Sequence, residues 1–269
     1  NEDVVGFDYE TNAFRPYNND TKILSAALAG SQGCLAFPLY HREAKWPPAL
    51  AQELLAALFR FLAEAPCIKA VHNAAFEMEW TAVKYKRAAI RNDTWACTMS
   101  QAYILDERQG GLSLDFLTRQ HFGFSIKALN PIDRSDLDNV PLSQVLPYNG
   151  CDSKWHLQAY LRLYELLKQE GLLGVYKHHM RRLRAAVLMQ VKGLPIDQET
   201  NARLLQKYTA DRDKYTKIIK QSDEARLFFQ QKGKDYRPSS NPDTVHMLNN
   251  VLPDKATKAA RNLDGKITN

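Results

Sequence analysis

An α/β fold, with a mixed sheet flanked by helices and an all-helical segment behind it, is the fold class this sequence predicts. Three observations predict it. Period-two alternation marks three early segments, short apolar runs alternate with helical periodicities as far as residue 169, and only helical periodicities follow Gly171.

Residues 4–9 alternate as a half-buried strand, and 21–29 and 33–37 make two more, with turn-prone residues between them, which describes an antiparallel meander. Over 49–63, Leu50, Leu54, Leu55, Leu58, Phe59 and Leu62 follow helical spacing behind Trp46-Pro-Pro48, prolines that suit a first helical turn. The run 67–71 is a short strand leading into a helix near Ala74; 89–93 reads as another strand and 94–105 as a helix. Leu112-Ser-Leu-Asp-Phe-Leu117 opens a further helix, and 127–140, rich in Asp, Asn and Pro, reads as a loop. Pro147 is expected to separate a short helix from a longer one over 148–169. Farther on, 176–191 carries Leu183, Val187, Leu188 and Val191 at helical spacing and stops at Gly193-Leu-Pro-Ile-Asp197. A charged amphipathic helix over 198–220, a loop over 233–241 and a short helix over 242–252 complete the order, and the last 15 residues are polar and expected to be mobile. The composition shift near residue 171 sets an expected domain boundary, 1–170 against 171–269.

With 269 residues, 45% of them hydrophobic, the chain can build one large core and part of another. It has no run of 18 apolar residues, and Asn1-Glu-Asp is unlike the basic-then-apolar start of a secretory leader. The expectation is a soluble, cytoplasmic chain without a membrane partner. Cys34, Cys67, Cys97 and Cys151 form no CxxC pair and are too few for a disulfide scaffold, which fits reduced thiols. Because no Met begins the chain and a strand starts almost at once, it reads as a fragment. The net charge of +6 hides an asymmetry: residues 1–170 hold 17 Lys/Arg against 20 Asp/Glu, whereas 171–269 hold 19 against 10. An acidic part beside a basic one suits a polyanion gripped by one and processed by the other; solvated helix faces give the same count.

Five side chains carry the chemistry. In Val5-Gly-Phe-Asp-Tyr-Glu-Thr11, Asp8 and Glu10 sit two apart on a strand and therefore share a face. In Tyr148-Asn-Gly-Cys-Asp152, Tyr148 and Asp152 sit four apart on a helix and project together. In His72-Asn-Ala-Ala-Phe-Glu77, Glu77 follows a short strand into a helix, at the carboxyl edge of a sheet where ligands bind. Each motif alone has an ordinary structural reading, a strand with one wet face or a packed ring. Together they place oxygen ligands from distant segments where Mg²⁺ or Mn²⁺ requires them, and two such ions can cleave a phosphodiester. No second His or Cys stands at ligand spacing from His72, so it is read as a positioning residue. Glu79 and Trp80 are read as ordinary helix residues, the first exposed and the second packed.

In this order and on these elements, the three segments resemble the Exo I, Exo II and Exo III motifs of the DEDDy 3′-5′ exonucleases over about residues 3–168. Asn92-Asp-Thr-Trp-Ala-Cys-Thr98, Ala102-Tyr-Ile-Leu-Asp106 and Leu112-Ser-Leu-Asp-Phe-Leu117 are similar to the stretches between Exo II and Exo III. Leu188-Met-Gln-Val-Lys-Gly-Leu-Pro-Ile-Asp197 resembles the entry into family A DNA polymerases, and Pro238-Ser-Ser-Asn-Pro-Asp-Thr-Val-His-Met-Leu248 a segment after it. The resemblance implies a ribonuclease H-like fold, the proofreading domain of a bacteriophage-type, DNA polymerase I-like enzyme over 1–170, and the thumb-side start of a polymerase over 171–269. Palm and finger signatures are absent from this stretch.

That resemblance implies metal ligation by Asp8, Glu10, Glu77 and Asp152 around two divalent ions, Mg²⁺ or Mn²⁺, with Tyr148 orienting the attacking water. It makes Thr11, Asn73 and Phe76 the substrate contacts. The implied partner is a single-stranded DNA 3′ end or primer terminus, with a palm and fingers region if the natural chain continues. The family usually has Asp where this chain has Glu77, and the added methylene lengthens its reach by roughly 1.5 Å. Two other readings share the motifs: a ribonuclease D-like RNA 3′ exonuclease, and a catalytically silent domain that binds single strands or supports a polymerase.

Overall fold

The computed structural model describes residues 3–108 and 110–252. The expected mobile tail lies outside them. The chain divides into two compact units, residues 1–193 and 194–269.

The first unit is built on a five-stranded sheet in the order β3-β2-β1-β4-β5. β1 (Val4–Thr11), β2 (Ile23–Gly30) and β3 (Gly33–Pro38) form the antiparallel meander, while β4 (Ile68–Val71) and β5 (Trp95–Cys97) add in parallel beyond β1. Parallel neighbours need crossovers, and α1 (Pro48–Glu64) and α2 (Ala74–Lys84) supply them. β1 is therefore central and covered on both faces. Its odd residues, Phe7 and Tyr9, enter the main core with Leu58, Phe59, Leu62, Met78 and Trp95. Its even residues, Gly6, Asp8 and Glu10, turn to the other face against α6 (Leu142–Gln169).

The approach of α6 to β1 requires glycine at position 6. A Cβ there would lie 1.9 Å from the Ser153 carbonyl oxygen, a backbone atom that moves only with the helix. Gly6→Ala should therefore destabilise the unit by about 3 kcal/mol or more, read as a drop in melting temperature. An unchanged Tm would show that α6 has room to retreat.

Several elements differ from expectation. The stretch 89–93 is not a strand: a 3₁₀ turn covers Arg87–Ile90, and the edge strand is Trp95–Cys97, so α3 begins at Thr98 and runs to Leu105. The apolar Ala88-Ala-Ile90 is too short for periodicity to separate strand from turn. α4 (Leu114–Phe122) starts after Ser113, whose side chain accepts from the Phe116 N–H, and ends at Gly123 in the left-handed region. The stretch 127–140 holds the end of α5 (Ile126–Leu129) and a 3₁₀ turn at Arg134–Asp136. Pro147 does not break α6, which runs unbroken through it. Near a helix start a proline forfeits a single ladder hydrogen bond, and the fully buried Val145 and Leu163 keep the helix seated.

α7 (Leu173–Lys192) packs on α2, with Val187 in the main core, and Gly193 ends it at a φ of 70°. Contacts therefore close the first unit at Gly193, beyond the composition shift at 171. The second unit holds α8 (Gln198–Lys220), α9 (Asp223–Lys232), α10 (Asn241–His246) and a π turn at Met247–Val251. Its small core centres on Phe228, ringed by Tyr236 and His246, and on buried Asp243, paired with Lys234 at 2.7 Å and Arg237 at 3.3 Å. Among the described residues no helix is long and apolar enough to cross a membrane.

Candidate active site

A cleft of about 690 Å³ opens beside the carboxyl ends of β1 and β4, and all eight residues expected in the site line it. Asp8 and Glu10 project into it from the α6 side of β1, each 8% exposed. Tyr148 and Asp152 come down from one face of α6, a turn apart. Carboxylate oxygens of Asp8, Glu10 and Asp152 lie within 4.8 Å of one another, and among the described residues no other three metal-ligating side chains converge in this way.

Glu77 reaches the cleft from the first turn of α2 and is 2% exposed. Its approach depends on Asn73, which takes φ 67° and ψ 58° to turn the chain sharply from β4 into α2. Asn is among the few residues that tolerate this left-handed conformation. Glu77 stands outside the compact trio, and its Oε2 is buried without a hydrogen-bond partner.

Three buried acids, Asp8, Glu10 and Glu77, lining one cleft with the half-buried Asp152 cannot all ionise cheaply. Burial, then the charges of Glu10 and Asp152, pushes Asp8 well above the ordinary carboxyl range. Burial followed by the Asp152 charge takes Glu10 to about 8; burial takes Asp152 to about 6 and lifts Glu77 well up. The Arg134 guanidinium faces Glu10 and Asp152 and offsets part of their repulsion, and its Nη1 donates to the Tyr148 hydroxyl at 3.4 Å. Burial also raises the Tyr148 phenol, which stays protonated and able to donate at neutral pH.

The residues below the cluster are neutral. Asn149 Nδ2 donates to Asp8 Oδ2 at 2.8 Å. His156 donates from Nδ1 to the Phe7 carbonyl at 2.8 Å, and its ring stacks 6.0 Å from that of His72, which bonds Thr98 Oγ1 at 2.8 Å. Burial lowers the two imidazoles to about 4 and about 3, so neither supplies the missing positive charge. Three converging carboxylates, Asp8 and Glu10 buried and Asp152 half-buried, with an orphaned fourth acid beside them, are a donor set that fits hard divalent cations.

Thr11 donates to the Ala13 carbonyl at 2.8 Å, and Phe76 faces Phe14, 69% exposed, across 6.2 Å. Asn149, His156 and Arg134 were not expected in the site. Asn149 adjoins Tyr148, so its neighbourhood was legible, but Arg134 lies in a stretch whose only signal was turn composition. One expectation is corrected: Glu79 is not an exposed helix residue but is 1% exposed and bound by Arg15, Tyr17 and Gln190. A single helical turn does not reveal which loops will fold over it.

A family profile described as a 3′-5′ exonuclease of family A DNA polymerases matches residues 1–169. The chain belongs to this 3′-5′ exonuclease family. The exonuclease is 28% identical over 213 residues to DNA polymerase I of Chloroflexus aurantiacus, a match covering 74% of this chain and 21% of that protein. It thus spans about a fifth of that relative's length. In fold it resembles the POL domain of Pol1 from M. smegmatis, solved with DNA primer-template and dNTP, at TM-score 0.59 and 18% identity, covering 93% of this chain and 37% of the other. It also resembles Brucella melitensis NrnC, at TM-score 0.53 and 15% identity over 71% of this chain and 87% of NrnC. These likenesses bear out the mixed sheet flanked by helices. The exonuclease match ends at 169, where the composition shifts, while the compact unit continues to Gly193.

Proposed function

We propose that the chain removes nucleoside 5′-monophosphates from DNA 3′ ends as the proofreading part of a polymerase I-type enzyme. The carrying observation is the convergence of Asp8, Glu10 and Asp152 within 4.8 Å, with Glu77 and Tyr148 on the same cleft. The polymerase I relative favours DNA over RNA. In this reading 1–170 is the exonuclease domain and 171–269 the thumb-side start of a polymerase, and the bacterial relative and four free cysteines support a cytoplasmic setting.

Asp8, Glu10 and Asp152, with Glu77 at the second position, would hold two Mg²⁺ or Mn²⁺ ions. When bound, such ions activate water and stabilise the leaving 3′ oxygen. Tyr148 donates its hydroxyl proton to orient the nucleophile, and Arg134 holds the phenol oxygen in place while bringing positive charge toward the phosphate. Thr11, Asn73 and Phe76 seat the terminal nucleotide, the Phe76 ring against a base. Asn149 fixes the orientation of Asp8.

The test is loss of label from a 3′-labelled single strand with and without Mg²⁺ or Mn²⁺, on matched DNA and RNA. Metal-dependent release of mononucleotides from DNA is expected; faster release from RNA would favour the ribonuclease D-like reading, and none from either a silent binding domain. Tyr148→Phe keeps the packed ring and removes the hydroxyl. It should lower kcat by about 10- to 100-fold with KM nearly constant, and a kcat within twofold of wild type would exclude the orienting role.

A further inference from the structure

The second acid of α2, Glu79, takes no part in the carboxylate cluster. Its side chain is 2% exposed, yet it receives three donors from two other segments. Arg15 Nη1 donates to Oε2, while the Tyr17 hydroxyl and Gln190 Nε2 donate to Oε1 at 2.5 and 2.6 Å. Arg15 and Tyr17 belong to the β1–β2 connection, and Gln190 lies in the last turn and a half of α7.

That connection is one wall of the cleft, through Asn12, Ala13 and Phe14. Its two ends are tied locally: the Asn12 N–H donates to the Lys22 carbonyl at 3.2 Å, the Lys22 N–H to Asn12 Oδ1 at 2.7 Å, and Lys84 Nζ to Thr21 Oγ1 at 2.8 Å. Its tip is tied by Glu79. Phe14 stands between these ties, and the Arg15 guanidinium lies 4.8 Å over its ring. Arg15 thus holds Glu79 on one side and Phe14 on the other. A buried carboxylate binding three donors leaves the tip little freedom, because any shift strands a charge away from water.

We infer that Glu79 is a positioning residue: it sets the Phe14 wall of the cleft and, through Gln190, makes that wall answer to the last turns of α7, the helix that leads into residues 194–252. The inference rests on the exonuclease reading and adds to it a link between the cleft and the start of the helical segment. The inference places nucleotides upstream of the scissile bond along this wall, so its loss is read on long substrates and not on minimal ones.

The 269-residue chain is compared with Gln190→Met, which keeps the bulk and removes the donor, and with Glu79→Gln. Each is assayed on a 3′-labelled single-stranded oligonucleotide and on the p-nitrophenyl ester of thymidine 5′-monophosphate, which has nothing to lie along the wall. Gln190→Met should raise KM for the oligonucleotide about fivefold, with kcat within about twofold and ester hydrolysis unchanged. Glu79→Gln, which also strips Arg15 of its counter-ion, should raise it further; should that variant melt at assay temperature, Gln190→Met carries the test alone. A KM unchanged in folded Gln190→Met, or a parallel fall of kcat on both substrates, overturns the proposal. Failure of the wild-type chain to cleave either substrate under Mg²⁺ or Mn²⁺ marks the nuclease reading as the fault and takes the proposal with it.

Discussion

Asp8→Asn should cost at least about a thousandfold in metal-dependent release of 3′ nucleotides and, in the same protein without metal, raise the melting temperature by about 3 °C or more. The two effects share one cause. Burial and the charges of Glu10, Asp152 and Glu77 all raise Asp8, so its charge serves the proposed cation site and strains the metal-free fold together. Removing its charge takes a ligand from the proposed cation site and at once relieves the folded state. The amide that replaces it still accepts from Asn149 and gains an N–H₂ aimed at the neighbouring carboxylates, so the fold keeps its hydrogen bonds. Chelated samples of both proteins give the Tm comparison, and a labelled oligonucleotide gives the rates. Activity within tenfold of wild type would remove Asp8 from the reaction; loss of activity together with a lower Tm would mean that the aspartate serves the fold instead.

The cost of burying a carboxylate at Asp8 explains why the convergence of these side chains was legible in the sequence. A carboxylate on the central strand of a sheet is a poor structural choice, and two of them at period two share a face whatever the rest of the chain does. Tyr148 and Asp152 follow equally from the helical repeat, even though Pro147 directly before them looked like a break. The sheet order was legible where strands alternate and not at β5, where three residues, Trp95–Cys97, pair only because β4 offers an edge. Arg134 and Glu79 were opaque for another reason. One is a cation in a polar connection and the other an acid on an amphipathic helix, and both gain their surroundings from segments many residues away: Glu79 from Arg15, Tyr17 and Gln190, Arg134 from Tyr148. Local pattern reports the face a residue takes, not what will fold across it.

Without metal the chain should lose stability as pH rises from about 6.5 to about 8, and divalent ions should abolish that loss. Glu10 moves from an ordinary 4.5 to about 8 and Asp152 from 3.8 to about 6, with Asp8 and Glu77 raised as well. Each is a weaker acid folded than unfolded, so the folded chain holds more protons between the two values and stability falls with pH across that window. The histidines oppose this at lower pH. His72 and His156 are held to about 3 and about 4 against an ordinary 6.5, so at these two sites the unfolded chain binds more protons and their contribution rises with pH up to about 6.5. Below 6.5 the two histidines offset the four carboxyls only in part, so the fall with pH is shallower there; above that value the histidines have finished and the carboxyls act alone. Bound cations compete with those protons and keep the acids ionised without repulsion, so the metal-induced rise in Tm should grow from pH 6.5 to 8. Melting curves in chelator and in millimolar Mn²⁺ across that range decide it. Parallel curves, or a chelated protein that gains stability over the interval, would mean that the four acids are not the uncompensated charge cluster on which the proposed chemistry depends.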